Sequence, residues 1–190
     1  MSHPGPPGRI HGVEVMLPPL TPDEELMLRV QDGDQTAYRE LFERHHARVY
    51  GYLLRRMKDQ QVADDLFQET FLSVYRARHT WQAGRPFRPW LFTIASNAAR
   101  DHVRRAQRRP ETVSKDVVQS VSPTTVTRLH LERAIADMPD TLRDAFILGV
   151  VEGFDHREVA HQLQISSANA RARISRGRAW LRTRLHPEAS

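Results

Sequence analysis

The feature that most constrains this chain is helical periodicity, because apolar residues recur at three- and four-residue steps along most of its length. After Asp34, the positions that share one helix face are Tyr38, Leu41, Phe42, His45, Val49, Tyr52 and Leu53. A second segment, about 62 to 76, repeats the pattern, and a third runs from about 87 to 108. No segment needs a strand to explain its pattern. The sequence therefore predicts an all-α fold.

A capping pattern and two stretches without periodicity divide the chain. Residues 1–20 are rich in Pro and Gly, which predicts a disordered tail. Thr21-Pro22-Asp23-Glu24 then has the order of a capping box, so we expect the first helix to begin here. Residues 110–127 have no helical period and predict a flexible linker. We therefore expect two four-helix domains, at residues 21–109 and 128–186, that move independently.

Several classes of function are excluded by residues that the chain lacks. The sequence has no Cys, which rules out disulfides, thiolate metal sites and a Cys nucleophile. His45 and His46 diverge on a helix, and His156 and His161 are five residues apart, so neither pair has metal-ligand spacing. Because there is also no phosphate-binding Gly loop, nucleophile elbow or paired acid–base motif, we expect no catalysis, no metal and no cofactor.

The chain also lacks the segments that direct proteins to membranes. No apolar run approaches the ~18 residues that a membrane span requires. The first twenty residues do not have the basic and then apolar order of a signal peptide. These observations predict a cytoplasmic protein with no membrane insertion.

The charges are segregated along the chain, which carries a formal net charge of +5. Residues 85–109 hold seven Arg and one Asp, and residues 171–184 hold six Arg and no acid. Residues 59–70, in contrast, hold four acids and no base. Arg offers a planar fork that suits phosphate and guanine, so the two basic stretches favour a nucleic-acid partner. A genome rich in Arg codons would produce the same preference for Arg over Lys, and this alternative stays open.

The C-terminal part has the spacing of a helix-turn-helix. A short helix, 156–163, would bury Val159, Ala160 and Leu163, and a tight turn at 164–166 would lead into a long Arg-rich helix. In this arrangement Ser166 can cap the second helix. Gln164 occupies a turn position that favours a left-handed backbone, which costs a residue other than Gly up to ~1–2 kcal/mol. A solvated basic helix in some other all-helical protein is the alternative.

Motifs in both halves of the chain resemble a known family, the extracytoplasmic-function sigma factors of the sigma-70 family. Region 4 of that family is similar to MPDTLRDAF at 138–146, EGFDHREVA at 152–160, IS at 165–166 and RAR at 171–173. Region 2 is similar to ADDLFQETF at 63–71, FRPWLFTIASN at 87–97 and DHVRR at 101–105. The resemblance covers residues 22–109 and 128–186 in the family's order, which makes it specific.

This resemblance implies that the first domain binds RNA polymerase through its acidic helix and also holds one strand of the melted -10 promoter element. The residues implied in polymerase binding are Asp64, Asp65, Gln68 and Glu69. Metal ligands of a nuclease and an ordinary solvated acidic face are the competing interpretations. Those implied in -10 binding are Trp81, Arg85, Arg88, Asn97, Arg100, Asp101, Arg104 and Arg105. We expect Trp90, which lies beside Leu91 and Ile94, to be a core residue.

The resemblance further implies that the second domain reads the -35 element as duplex DNA. Side chains near the N-terminal half of a recognition helix reach base edges, and later ones contact phosphates. The residues concerned are Ser167, Ala168, Asn169, Arg171, Arg173, Arg176 and Arg178. The implied partners are core RNA polymerase, promoter DNA and an anti-sigma factor. The competing function is a helix-turn-helix regulator that binds its operator alone and uses its N-terminal half to sense a signal or to dimerise.

Overall fold

The computed structural model describes residues 21–108 and 125–185, with side chains from residue 130 onward in the second range. The first half contains α1 (Asp23–Gln31), α2 (Gln35–Met57), α3 (Gln60–Arg76), a short 3-10 helix (Arg78–Thr80) and α4 (Phe87–Arg108). The second half contains α5 (Thr125–Asp137), α6 (Asp140–Phe146), a π-helix that continues α6 (Ile147–Val151), α7 (His156–Leu163) and α8 (Ser167–Leu185). Within these two ranges there is no strand, so the predicted all-α fold is confirmed.

Two of the predicted boundaries concern residues that the structure does not describe. The tail at residues 1–20 lies outside the described residues, and so does most of the linker at 110–127. The end of that linker is helical, because α5 begins at Thr125. The turn predicted at 164–166 coincides with the end of α7, and the other helix breaks of this half fall at 138–139 and 152–155.

Aspartate side chains cap the starts of α2, α3 and α7, whereas α1 and α6 each begin after a proline with no side-chain cap. Asp34 caps α2 by accepting hydrogen bonds from the main-chain nitrogens of Thr36 (2.8 Å) and Ala37 (3.1 Å). The capping box expected at Thr21 is wrong: α1 begins at Asp23 after Pro22, and no side chain caps it. The Asp23 carboxylate bonds to α2 instead, where it accepts from the His45 ring at 2.7 Å.

The core of the first half lies between α1, α2, α3 and α4. Tyr52 of α2 is fully buried, and its hydroxyl meets Ser96 Oγ of α4 at 3.0 Å. Trp90 is half-buried and packs against the core, as expected. In this half, the largest apolar side chains with no exposure or almost none are Leu26, Met27, Leu41, Tyr52, Leu53, Phe87, Leu91 and Phe92. This core holds the outer faces of α3 and α4 in fixed positions.

The second half is a helix-turn-helix in which α6 and α7 pack on α8. Gln164 has φ 55° and ψ 46°, so the left-handed turn that the sequence predicted is confirmed. Ser166 Oγ accepts a hydrogen bond from the main-chain nitrogen of Asn169 at 3.2 Å, which confirms it as the cap of α8. The buried face of α8 is formed by Ala170, Ile174 and Gly177.

The two halves pack against each other, contrary to the expectation of independent modules. Helix α4 lies along α7, and α2 contacts α5, α6 and the π-helix. The rings of Phe92 and Phe154 meet edge to face with their centroids 5.0 Å apart. Periodicity within each half does not reveal such a contact, because it involves residues that are about sixty positions apart in the chain.

Candidate nucleic-acid and protein interfaces

The exposed face of α3 is acidic. Asp65, Gln68 and Glu69 are exposed, while Ala63, Leu66, Thr70, Phe71 and Val74 bury the opposite side of the helix. Asp64 differs from its neighbours, because it is half-buried and its carboxylate accepts a hydrogen bond from Tyr50 that raises the pKa of that phenol. Three of the four predicted docking residues are therefore free to meet a partner, and Asp64 helps to attach α3 to α2.

An exposed Leu completes this acidic face, and the sequence analysis missed it. Leu72 is 55% exposed, more than any other large apolar side chain of the described residues. It lies one turn after Gln68 and Glu69 and two turns after Asp65, so all four share one surface. A signal was available, since Leu72 falls on the polar side of a helix whose other apolar side chains are buried or half-buried.

The outer face of α4 is basic, and its arginines occupy two different environments. Arg104 and Arg105, near the C-terminal end of α4, are exposed. Asp101 on the same helix and Arg85 in the loop before it are exposed as well. Arg88 and Arg100 are half-buried and point toward the second half of the chain. Burial lowers the pKa of both guanidinium groups, which nevertheless stay charged. Asn97 accepts a hydrogen bond from Arg100 at 2.8 Å.

The loop between the 3-10 helix and α4 corrects one predicted contact. Trp81 is only 3% exposed and belongs to the core, so its ring is not available to stack on a base. Gln31 holds this part of the chain by donating to the main-chain oxygens of Arg78 (2.8 Å) and Trp81 (2.9 Å). The family resemblance implied a role for Trp81 in -10 binding, whereas its contact with α1 is visible only in three dimensions.

Helix α8 presents polar side chains along most of its length. Ser167, Ala168, Arg171, Arg176 and Arg178 are exposed. Asn169 and Arg173 are half-buried and bonded to each other, with Arg173 Nε donating to Asn169 Oδ1 at 3.0 Å. The structure thus brings together on one helix all the residues predicted to read duplex DNA.

One residue of this surface was missed in the sequence analysis. His156, at the start of α7, accepts a hydrogen bond from Arg171 at 3.3 Å and so adds a second helix to the exposed face. The two residues are fifteen positions apart, and no spacing rule connects them.

Comparisons with known proteins agree with this geometry. The family model for Sigma-70 region 2 matches residues 41–109, and that for Sigma-70, region 4 matches residues 128–181. RNA polymerase sigma factor CarQ of Myxococcus xanthus is 39% identical over 162 residues, which are 82% of this chain and 93% of that protein. The chain belongs to the sigma-70 family. Another similar protein is ECF RNA polymerase sigma factor SigM of Bacillus subtilis, a member of the extracytoplasmic-function group of this family. It is 31% identical over 75% of this chain and 91% of that protein.

Solved structures of similar proteins have the same fold as this chain. CnrH in complex with the cytosolic domain of CnrY is 26% identical, with a TM-score of 0.65 over 88% of this chain and 99% of that chain. The sigma factor RpoE of Bartonella quintana, solved with the anti-sigma factor NepR, superimposes with a TM-score of 0.67 over 78% of this chain and 96% of that chain. At 20% identity this second likeness concerns the fold alone.

The matched regions contain the surfaces described above. The acidic face of α3 and the basic face of α4 lie within region 2, and the helix-turn-helix lies within region 4 except for residues 182–185 of α8. In the described part of the chain, no three His, Asp or Glu side chains are grouped as a metal site would need. No helix there is both long and apolar enough to cross a bilayer.

Proposed function

We propose that this sigma factor directs promoter recognition and transcription initiation through three separate surfaces, one for core RNA polymerase and two for DNA. The observation that carries the proposal is that one chain places an exposed acidic face, an exposed basic face and a capped recognition helix on three different helices. An operator-binding regulator would need the third surface alone.

The acidic face of α3 is the proposed polymerase-docking surface. Asp65 and Glu69 offer carboxylates, Gln68 offers an amide, and Leu72 adds an apolar contact that the carboxylates surround. Interfaces of this kind take specificity from charge complementarity and affinity from desolvated apolar anchors. A basic helical surface on the polymerase fits this pattern. Asp64 contributes indirectly, by fixing the position of α3 against Tyr50.

The basic face of α4, together with Arg85, is the proposed surface for the -10 element. Melted DNA exposes phosphates and bases, which Arg side chains hold by charge and by stacking. Arg104 and Arg105 are exposed and can contact DNA without any rearrangement of the protein. Asn97 and Asp101 supply polar groups beside them, and Arg88 and Arg100 join the surface when they are released from the second half of the chain. Trp81 has no place in this surface.

The N-terminal part of α8 is the proposed reader of the -35 element. Arg171 and Arg173 lie where a recognition helix meets base edges, and Arg can pair with guanine through two hydrogen bonds. Asn169 orients Arg173 through their mutual hydrogen bond, and Ser167 and Ala168 line the entrance to the groove. Arg176 and Arg178, further along the helix, suit contacts with phosphates.

The proposal also concerns the cellular location of the protein and its regulatory partner. The protein performs no covalent chemistry itself and acts in the cytoplasm, where its polymerase works. An anti-sigma factor is the proposed regulator, because RpoE, whose fold is similar, was solved with the anti-sigma factor NepR. CnrH, which is similar to 88% of this chain, was likewise solved with a protein partner, the cytosolic domain of CnrY.

Run-off transcription with purified core polymerase and a genomic promoter library tests the function. We expect transcripts from a defined promoter set only when both proteins are present. The control is duplex binding by the sigma factor alone to the promoters recovered. Tight, sequence-specific binding without polymerase, combined with no transcription, would identify an operator-binding regulator instead.

A further inference from the structure

Residues 82–86, which we call the α4 loop, are all exposed and lie between two buried aromatic side chains. Trp81, just before the loop, is 3% exposed, and Phe87, just after it, is 1% exposed. The loop carries Arg85, which belongs to the proposed -10 surface. The chain therefore leaves the core at one fixed point and returns to it at another, and the residues between these points face the solvent.

The α4 loop contains a defined turn. The main-chain nitrogen of Arg85 donates to the carbonyl oxygen of Gln82 at 3.1 Å, and Gly84 between them has φ 81°. A β-turn with a positive φ at its third residue favours glycine there. A Cβ built on Gly84 would have no neighbour within 4 Å among the described residues, so the turn projects away from them.

Gln31, the last residue of α1, anchors the first end of the α4 loop. Its Nε2 donates to the main-chain oxygens of both Arg78, at 2.8 Å, and Trp81, at 2.9 Å. A glutamine amide nitrogen carries two hydrogens, so both of its donors are used. Because Gln31 is half-buried, water competes less for these bonds than it would at an open surface.

Glu24, near the start of α1, anchors the second end of the loop. Its Oε1 accepts a hydrogen bond from the main-chain nitrogen of Phe87, the first residue of α4, at 3.0 Å. The first N–H groups of a helix have no partner within the helix, and its N-terminus favours a negative charge. The first turn of α4 has no acidic residue of its own. The carboxylate that α4 needs there therefore comes from α1.

Helix α1 fixes the separation of the two ends. Glu24 and Gln31 are seven residues apart, which places them on one face of α1 and roughly 10.5 Å apart along its axis. The helix is itself held in the core by Leu26, Met27 and Val30, which are fully buried. A loop of five residues can extend to ~17 Å, so its length alone does not determine where its ends lie.

We propose that α1 positions the α4 loop for the melted -10 strand, with Gln31 and Glu24 as positioning residues that do not contact DNA. This inference rests on the proposed function, because Arg85 of the loop belongs to the proposed -10 surface. A loop whose ends are already fixed loses less conformational freedom when it binds an unpaired base and its phosphate. Gln31 and Glu24 therefore contribute to selectivity for the -10 strand and not to polymerase docking or -35 binding.

A spin label in the α4 loop tests the anchoring directly. The chain has no Cys, and Ala83 is exposed, so Ala83→Cys places a single nitroxide in the loop of the full-length protein. Gln31→Met keeps the length of the side chain but removes both donors, and we expect it to make the label more mobile. Gln35→Met, at an exposed glutamine of α2, should leave the spectrum unchanged. Equal label mobility in the Gln31 and Gln35 variants would overturn the proposal.

A conservative substitution tests the second anchor. Glu24→Met removes the acceptor for the Phe87 nitrogen, whereas Glu24→Gln retains an oxygen that can accept the same bond. We expect a more mobile label in Glu24→Met and recovery in Glu24→Gln. Glu25→Met, at the adjacent exposed position, is the matched control and should behave as the wild type does. A label as mobile in Glu24→Gln as in Glu24→Met would overturn the role of Glu24.

Selectivity for the -10 strand is measured on the holoenzyme, without the spin label. The probe is a fluorescent single-stranded oligonucleotide with the non-template -10 sequence of a promoter recovered by run-off transcription, and a matched set carries one abasic site at each position in turn. At the position that the loop contacts, the abasic site should weaken binding about tenfold in the wild type and about twofold in Gln31→Met.

The ratio of affinities for intact and abasic probes separates positioning from stability. A variant that only loses folded protein binds every probe less by the same factor, so its ratios do not change. Glu24→Met is the second variant should Gln31→Met fail to fold by circular dichroism. Affinity for core polymerase and for a -35 duplex should be normal in both. Wild-type ratios at every position in both variants would overturn the proposal.

The two measurements distinguish failure of this inference from failure of the proposed function. Label mobility is measured on the free protein and needs no promoter. A loop that is released in the α1 variants of a protein that supports no transcription upholds the anchoring and removes the promoter role on which its purpose rests. Normal transcription by the wild type, with unchanged abasic ratios in the α1 variants, removes this inference alone.

Discussion

Gly177 of α8 lies directly against Phe146 of α6: a Cβ built on this glycine would be 3.0 Å from Phe146 Cβ and 3.2 Å from Cδ2. The absence of a side chain at residue 177 therefore allows the recognition helix to approach the scaffold that holds it. Gly149 makes a similar approach, where a Cβ would be 2.6 Å from Ile174 Cδ1.

Replacing Gly177 with Ala should destabilise the protein, although Ala favours helices over Gly by about 1 kcal/mol. Overpacking of a filled interior typically costs ~1–3 kcal/mol, which exceeds the gain in propensity. Urea unfolding monitored by circular dichroism measures the change. Ser175→Ala, at an exposed position of the same helix, should be neutral or slightly stabilising. A more stable Gly177→Ala protein would show that α6 and α8 do not pack this closely.

Reversing the charge of the acidic face should abolish polymerase binding. In Asp65→Lys/Glu69→Lys, like charges would meet a basic partner at a cost of ~2–5 kcal/mol, while both positions are exposed and the fold should survive. Pull-down with core polymerase measures the loss. Asp32→Lys/Glu43→Lys changes the charge equally at exposed positions on other elements and should bind as the wild type does. If the α3 variant binds core polymerase with normal affinity, the docking site lies elsewhere on the protein.

The apolar part of that face should contribute on its own. Leu72→Ser should weaken polymerase binding by ~1–2 kcal/mol, because an exposed leucine that is buried in a complex gains apolar contact area. Leu28→Ser is the control, since Leu28 is also exposed but lies on α1. If the Leu72→Ser and Leu28→Ser variants bind polymerase with equal affinity, docking depends on the charged residues alone.

The recognition helix should separate base contacts from phosphate contacts. Arg171→Ala or Arg173→Ala should lower -35-dependent transcription and leave polymerase binding unchanged. The loss of a base contact should weaken DNA binding by ~1–3 kcal/mol. Arg176→Ala should weaken binding to all sequences alike and reduce the salt slope by about one. Salt-titrated binding to matched and mutated promoters distinguishes these results. Unchanged transcription in both of the first two variants would contradict the assignment.

The Asp23–His45 contact should contribute stability with a defined pH dependence. The His45 hydrogen bond at 2.7 Å and that of Arg44 at 2.8 Å hold the pKa of Asp23 below its usual 3.8, against the effect of burial. A carboxyl whose pKa is depressed by folding stabilises the folded state above its unfolded value and loses that contribution as the pH falls through the folded value.

Asp23→Asn should therefore lower the free energy of unfolding by ~1–2 kcal/mol at pH 7. The difference between variant and wild type should shrink only below pH 3.8. Urea unfolding across this range measures it. A difference that disappears already between pH 5 and pH 7 would assign the effect to another group.

Much of this protein was predictable from local sequence pattern. The bounds of α4 and α7, the Ser166 cap and the left-handed turn at Gln164 depend on neighbours within four or five residues, and each was predicted and observed. The charged faces of α3, α4 and α8 were predictable for the same reason, since helical spacing alone determines which residues share a face.

The tertiary structure decided the features that depend on residues distant in sequence. Trp81 is in the core because α1 folds back over its loop, and Asp23 bonds to α2 and does not serve in a capping box. Arg88 and Arg100 belong to the same basic helix as Arg104 and Arg105, yet only the first two meet region 4. Helical periodicity specifies the direction of a side chain from its own axis, whereas its partner depends on how whole helices pack, which is determined by the summed burial of side chains from the entire chain.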